Sequence, residues 1–252
     1  MSLAGPSKPG WPRLSSQCAV CRSWPAESVC TPCVARFVMP RRRCNRCAIS
    51  LPPDTSEGLR SGPDLCANCA VHPPPLRTTL AAVPYAYPWS DLIGRYKFAD
   101  QPAWAAFFAS LLLRAPDVAT TLGELDRDDW IVPMPLSAAR LEARGFNQAW
   151  ALATALARAS GTLAKCDAGL LLRVRNTAPQ SQLQRQARLA NMRGAFQVDP
   201  LRAASLAGRR VVLVDDVMTS GASVFAAAGA LAEAGAAEIT ALVLARTDSA
   251  EE

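Results

Sequence analysis

The sequence predicts an α/β fold, a parallel-sheet domain over residues 76–252 with a small cysteine-rich module over residues 1–75 in front of it. Three observations carry this expectation. Apolar, β-branched runs such as Val211-Val212-Leu213-Val214 read as strands buried on both faces, and helical stretches alternate with them. Four Cys-x-x-Cys pairs all precede residue 70. Pro73-Pro74-Pro75 then forms a stiff, extended linker where the composition changes.

Length and charge narrow the possibilities. A chain of 252 residues holds one good-sized core plus a small module. Its longest apolar run, 104–113, is interrupted by Ser110 and is too short to span a bilayer, so no membrane insertion is expected. Lys8, Pro9, Trp11, Pro12 and Arg13 stand where a signal peptide would need its apolar centre, and the expected location is cytoplasmic. His72 is the single histidine, which argues against Ser-His-Asp triads and histidine-based acid-base chemistry. The net charge of +6 is unevenly spread: residues 131–210 carry twelve basic side chains against three acids, whereas after residue 210 Arg246 stands alone against seven acids. A basic middle facing an acidic strand end suits an anionic ligand with a metal.

In the module the pairs are Cys18/Cys21, Cys30/Cys33, Cys44/Cys47 and Cys66/Cys69. Each two-residue gap puts two thiolates on one knuckle, and two knuckles complete a tetrahedral site, so two structural Zn2+ ions are expected. Eighteen residues separate the third pair from the fourth and eight the first from the second; the expected pairing is one with two and three with four, although a crossed pairing satisfies the same ligand count. Disulfides are disfavoured without a secretion signal, and a redox centre without a preceding buried strand. With so little core, the module should depend on its metal. Arg41, Arg42, Arg43 and Arg46 flank the third pair, where they either contact phosphates or compensate the charge of thiolate-bound zinc. His72 is expected at the surface.

Beyond the linker, Tyr85-Ala86-Tyr87 is expected as a strand, Asp91 to Phe98 as a short helix, and Trp104 to Arg114 as a buried helix. Trp130-Ile131-Val132-Pro133-Met134-Pro135 reads as a strand that proline forces to stop. The short helix after it carries Arg140 and Arg144 four apart on one face, either to hold a pyrophosphate or as solvated surface groups. A long helix then runs to about Ser160 with a core stripe of Phe146, Trp150, Ala153 and Ala157, ended by Gly161. Leu170 to Val174 should be the next strand, and Cys166 a buried thiol. Residues 175–193 are rich in Gln and Arg and poor in large apolar groups, the composition of a lid over a ligand or of a solvated helix.

The last unit is strand 211–215, a Thr/Ser/Gly loop, helix 222–234 closed by Gly235, and strand 239–245. Asp215 and Asp216 stand at the carboxyl end of the first of these strands, where open α/β sheets bind ligands. Amide groups at the helix start can hold a phosphate, Gly221 admits close approach, and Thr219, Ser220 and Ser223 add hydroxyl donors. The two carboxylates can accept ribose hydroxyls or hold Mg2+ through water. The stretch reads as a ribose 5-phosphate site; the plainer alternative is a core strand followed by an ordinary Ser-Gly turn.

These residues resemble the signature of type I phosphoribosyltransferases, enzymes of 5-phosphoribosyl-1-pyrophosphate (PRPP): apolar strand, acidic pair, Thr, small residue, Gly and a later hydroxyl. With the four cysteine pairs, Tyr96-Lys97-Phe98, Val132 to Leu136, Arg144 to Gln148, Thr177 with Gln180, and Arg188 with Asn191 and Phe196, nearly the whole chain resembles the ComF family. That family joins a double zinc ribbon to a phosphoribosyltransferase domain and is associated with competence. The resemblance implies Asp215 and Asp216 on the ribose hydroxyls with Mg2+ nearby, and the 5-phosphate in the loop Thr219, Ser220, Gly221, Ala222 and Ser223. It also implies pyrophosphate around Leu136, Ser137, Arg140 and Arg144, and a flexible loop around Gln180, Arg185 and Arg188 whose arginines stabilise the leaving group. Thr219 replaces the acid that purine-salvage members use to assist the base, which argues against a purine acceptor. Two functions are expected from this: a Mg-dependent transferase with an unidentified acceptor, or a non-catalytic single-stranded DNA-binding accessory of DNA uptake that senses PRPP.

Overall fold

A computed structural model describes residues 16–24, 26–53, 63–98, 101, 103–175 and 194–248. Contacts divide the chain into two compact units, Met1–Phe37 and Val38–Glu252. The change in composition at Pro73–Pro75 therefore lies within the second unit, and the third and fourth cysteine pairs count with the sheet.

In the first unit an antiparallel bridge joins Ser16 and Ala26, with reciprocal main-chain hydrogen bonds of 2.8 Å. The Cys18–Cys21 knuckle lies inside that bridge and helix α1 (Thr31–Phe37) follows it, burying Cys33 and Val34. The buried residues described in this unit are Cys18, Val29, Cys33 and Val34, a small core of the size expected from a module with few large apolar residues.

In the second unit, a short helix α2 (Ala67–Val71) carries Cys69. Five parallel strands then form one sheet in the order β1-β7-β6-β2-β3: β1 (Thr78–Pro84), β2 (Trp130–Pro133), β3 (Lys165–Cys166), β6 (Arg210–Met218) and β7 (Glu238–Arg246). β6 lies between β7 and β2, and Val211 to Val214 are at most 1% exposed, as a continuous β-branched run buried on both faces should be. The ladder continues one residue past Pro133, since the Met134 amide donates to the Val214 carbonyl at 2.8 Å; Pro135 has no amide to extend it.

The helices are α3 (Trp89–Phe98), α4 (Trp104–Leu113), α5 (Val118–Gly123), α6 (Ala138–Arg144), α7 (Gln148–Ser160), α8 (Ala203–Leu206) and α9 (Ala222–Glu233). Asn147 caps α7: its Oδ1 accepts from the amides of Ala149 and Trp150 at 2.9 and 3.3 Å. The buried stripe is Ala149, Leu152, Ala153 and Leu156, so of the expected stripe Ala153 is buried, while Phe146 precedes the helix, Trp150 is 36% exposed and Ala157 is only partly buried. Leu152 and Leu156, larger than the alanines around them, set the face that turns to the core. Tyr96 anchors α3 against α7, donating from its hydroxyl to the Gln148 carbonyl at 2.6 Å and packing edge-on against Phe108 and Phe146.

Two other expectations are corrected. The first strand is Thr78–Pro84 and not Tyr85–Tyr87, because β1 is an alanine-rich edge whose backbone pairs with β7 alone. Leu170–Val174 does not join the main sheet: β4 (Leu171–Arg173) pairs antiparallel with β5 (Phe196–Val198), and β3 occupies the edge beside β2. Cys166 is half-buried in β3, and burial pushes its thiol up to about 11, while His72 is exposed as expected.

Candidate functional site

Asp215 and Asp216 lie near the carboxyl end of β6, in the wall of a cleft of about 440 Å3. The turn after β2 contributes Leu136, α6 contributes Arg140 and Arg144, and the loop into α9 contributes Thr219, Gly221, Ala222 and Ser223. The sheet thus brings the acidic pair, the arginine pair and the glycine loop to one place, the strand end where such folds hold ligands. Ser137 and Ser220 face elsewhere. The Ser137 hydroxyl caps α6 by accepting from the Arg140 amide, and the Ser220 hydroxyl accepts from the Ala222 amide, both at 3.4 Å. Gln180, Arg185 and Arg188, with Thr177 and Asn191, lie outside the described residues.

The cleft also gathers side chains to which sequence reasoning gave no role: Tyr85, Lys97, Gln148 and Arg173. Lys97, at the end of α3, places its Nζ 3.0 Å from Asp216 Oδ2. That oxygen is buried and accepts no aligned hydrogen bond among the described residues, and the same is true of Gln148 Oε1. Burial first, and then the Asp216 carboxylate, push Asp215 up to about 8, with Lys97 opposing. Burial lowers Arg144, helped by Arg140 and opposed by Asp216 and Asp215; burial also lowers Arg173, again with Arg140. Arg144 is further held by Phe98, whose ring centroid is 5.0 Å from the guanidinium carbon. Four cations, Lys97, Arg140, Arg144 and Arg173, share this wall with two carboxylates. Such a surplus in a partly dry cleft is relieved by an anion of two or more charges.

The loop has the shape for one end of such an anion. Gly221 has φ +83, and a Cβ there would lie 2.6 Å from Met218 Cε and Phe225 Cζ. Only glycine fits that backbone. α9 starts directly after it with no cap from Gly221 itself, and the Ser220 hydroxyl takes the Ala222 amide; the positive end of the helix still points at the cleft wall and favours an anion there.

The cysteines form two further centres, one in each unit. The thiols of Cys18, Cys21, Cys30 and Cys33 come within 4.8 Å of one another, and so do those of Cys44, Cys47, Cys66 and Cys69, which selects the uncrossed pairing. Burial works to raise Cys18, but amides of Cys30, Cys21 and Val20 bring it down to about 6, while burial and neighbouring sulfurs push Cys33 up to about 12. In the second cluster burial raises Cys47 to about 11 and Cys69 above the ordinary thiol range, yet backbone amides lower Cys44. Thiols this crowded cannot all ionise without a cation among them. Each set could therefore hold one zinc, and four sulfurs would close the coordination sphere, the mark of a structural site.

The second cluster is bonded to the sheet through its main chain. The Asn45 carbonyl accepts from the Thr79 amide at 2.8 Å and from the Thr78 hydroxyl at 3.0 Å, and the Arg46 carbonyl accepts from the Thr79 hydroxyl at 2.8 Å. Arg41 and Arg43 pair with Asp248, Arg42 with Asp64, and Arg46 donates to the Leu76 carbonyl. These arginines tie the knuckle to Asp248, Asp64 and Leu76, an engagement different from both roles expected for them.

A phosphoribosyl transferase domain family matches residues 141–252. DNA utilization protein YhgH of Salmonella typhi is 35% identical over 236 residues, 91% of this chain and 96% of that protein. The protein of the same name from Escherichia coli K12 is 32% identical over 87% of this chain and 90% of its own. Competence protein F of Haemophilus influenzae is 32% identical over 72% of this chain and 78% of its own. Among the described residues no helix is long and apolar enough to cross a membrane.

Proposed function

The chain belongs to the ComF family, and on that premise we propose that the cleft binds PRPP with Mg2+ and passes the phosphoribosyl group to an acceptor, in a role tied to DNA uptake. The observation that carries the reading is the cleft itself: an acidic pair, four cations and the start of α9 behind a left-handed glycine converge at one strand end. PRPP has matching chemistry, a 5-phosphate for the loop, vicinal hydroxyls for Asp215 and Asp216, and a pyrophosphate for Arg140 and Arg144.

In the transfer an acceptor lone pair forms a bond to C1 of the ribose, the bond from C1 to the pyrophosphate oxygen breaks, and pyrophosphate leaves with the electron pair. The arginines face the charge that grows on the leaving oxygens. Lys97, 3.0 Å from Asp216 Oδ2, holds that carboxylate in place to accept a ribose hydroxyl. Mg2+, held by Asp215 and Asp216 through water, would neutralise charge on the pyrophosphate. Calorimetry with PRPP, with and without Mg2+, tests this: the wild-type protein should bind, and Asp215→Ala and Asp216→Ala should lose affinity by at least about tenfold. Equal binding by both variants overturns the reading.

A second reading, a single-stranded DNA-binding accessory of DNA uptake that uses the same cleft as a sensor, is compatible with relatives named for DNA utilization and competence. Anisotropy of a labelled single strand should then fall steeply with salt. A salt-insensitive signal counts against it. Charge reversal at Arg41 to Arg43 is a poor probe of DNA contact, because it also breaks the ion pairs to Asp248 and Asp64.

A further inference from the structure

Arg246, the only base after residue 210, is 3% exposed at the end of β7, opposite Met218 of β6. Its Nε donates to the Cys47 carbonyl at 2.8 Å. Its Nη1 donates to the carbonyls of Met218 at 3.2 Å, of Thr247 at 2.6 Å, and of Thr219. A buried guanidinium is tolerated only when its N–H groups are bonded, so these carbonyls are held as a set. Cys47 belongs to the second cysteine cluster, and Met218 and Thr219 lead directly into Gly221 and the start of α9. One side chain therefore bridges a metal ligand and the backbone that shapes the anion loop.

We propose that Arg246 is a positioning residue which couples the second cysteine cluster to the loop 219–223, so that metal at Cys44, Cys47, Cys66 and Cys69 is required for tight binding of a sugar phosphate there. The proposal rests on the reading of that loop as the 5-phosphate site. Cys47 serves both ends of the link: its sulfur is held by the metal and its carbonyl by Arg246. Without metal the knuckle is released, the carbonyl shifts, and the guanidinium loses the acceptor that fixes its plane. The Met218 and Thr219 carbonyls then lose a fixed partner, and the amides after them lose the geometry that fits a phosphate. The bonds from Asn45 and Arg46 to β1 hold that end of the knuckle to the sheet, so the part that loses its restraint begins at Cys47. The first cluster contributes none of the Arg246 bonds and provides the internal control.

The test compares full-length wild type, Arg246→Lys, Arg246→Met, Cys69→Ser and Cys30→Ser. It reads zinc content, amide hydrogen exchange over 218–224 without ligand, and ribose 5-phosphate and PRPP affinity by calorimetry. Arg246→Met should keep both zinc ions, exchange about tenfold faster in the loop and bind about tenfold more weakly, within the usual span of coupling between sites. Arg246→Lys, with a charge but no planar fork, should recover only part of this. Cys69→Ser should reproduce the loop effect with one zinc lost, and Cys30→Ser should lose one zinc with the loop unchanged. If Arg246→Met does not fold, Cys69→Ser against Cys30→Ser carries the comparison alone. Loop exchange equal to wild type in Cys69→Ser overturns the coupling. Wild-type protein that binds neither ligand overturns the parent reading and the ligand half of this one, while the exchange still decides whether cluster and loop are linked.

Discussion

Gly221→Ala tests the anion loop at a single carbon. The added Cβ would lie 2.6 Å from Met218 Cε, 2.6 Å from Phe225 Cζ and 2.8 Å from Phe225 Cε2, on a backbone at φ +83. The left-handed conformation alone costs an L residue about 1–2 kcal/mol. Overpacking adds about 1–3 kcal/mol. Met218 Cε is the end of a flexible chain and can swing aside, whereas the Phe225 ring is bulkier, partly buried and has fewer rotamers to turn to. The lower half of the packing range applies, giving about 3 kcal/mol in all, or on the order of 100-fold in an equilibrium constant. Strain kept by the free loop lowers the melting temperature; strain relieved by a change of loop shape is lost from PRPP affinity instead. Calorimetry and thermal melting together must recover the whole sum. Gly229→Ala in the middle of α9 is the control: nothing lies within 4 Å of its Cβ. It should stabilise the protein by about 0.5–1 kcal/mol. If Gly221→Ala matches wild type in both melting and affinity, the loop is not the constrained anion cradle described here.

Asp129 provides a pH test away from the cleft. Burial alone would raise it, but the amides of Asp126 and Arg210 and the Arg210 guanidinium hold it below its ordinary value of 3.8. Its contribution is therefore present above pH 3.8 and is lost as pH falls through the lower folded value; Asp129→Asn should cost about 2 kcal/mol at pH 7 and nothing once pH is below both values. Denaturant melts at several pH values measure the difference, and a gap that persists in acid refutes the assignment. For the metal centres, Cys69→Ser should lower the main melting transition, because its cluster lies in the unit with the sheet, while Cys30→Ser should leave that transition in place. Equal shifts in the two variants would contradict the division at Phe37.

What could be read from the sequence was local. Asp215 to Ser223 is contiguous, and Arg140 and Arg144 share a helix face by spacing, so sugar-phosphate chemistry could be inferred without a tertiary contact. The cysteine knuckles are equally local. Lys97 was visible only as part of a motif, because its partner Asp216 lies on a distant strand and a lysine carries no mark of which carboxylate it will meet. β1 escaped notice because Ala81 and Ala82 dilute the β-branched pattern of an edge strand, while the aromatic Tyr85 and Tyr87 just beyond it imitate one. The phase of α7 depended on whether the face of Leu152 and Leu156 or that of Phe146 and Trp150 turned to the core. The docking of the third knuckle on β1 and β7 could not be foreseen, since the Asn45, Arg46 and Cys47 acceptors are carbonyl oxygens that every residue possesses. The one trace it left was a lone arginine among seven acids.

The bond between Cys47 and Arg246 spans 199 positions, and that between Arg41 and Asp248 spans 207. A ribosome adding roughly 5–20 residues per second needs about 10–40 s to make that interval. For most of it all four thiols of the second cluster exist and β7 does not. The knuckle thus has time to take up a metal as a nascent element, before the strand that carries Arg246 is made.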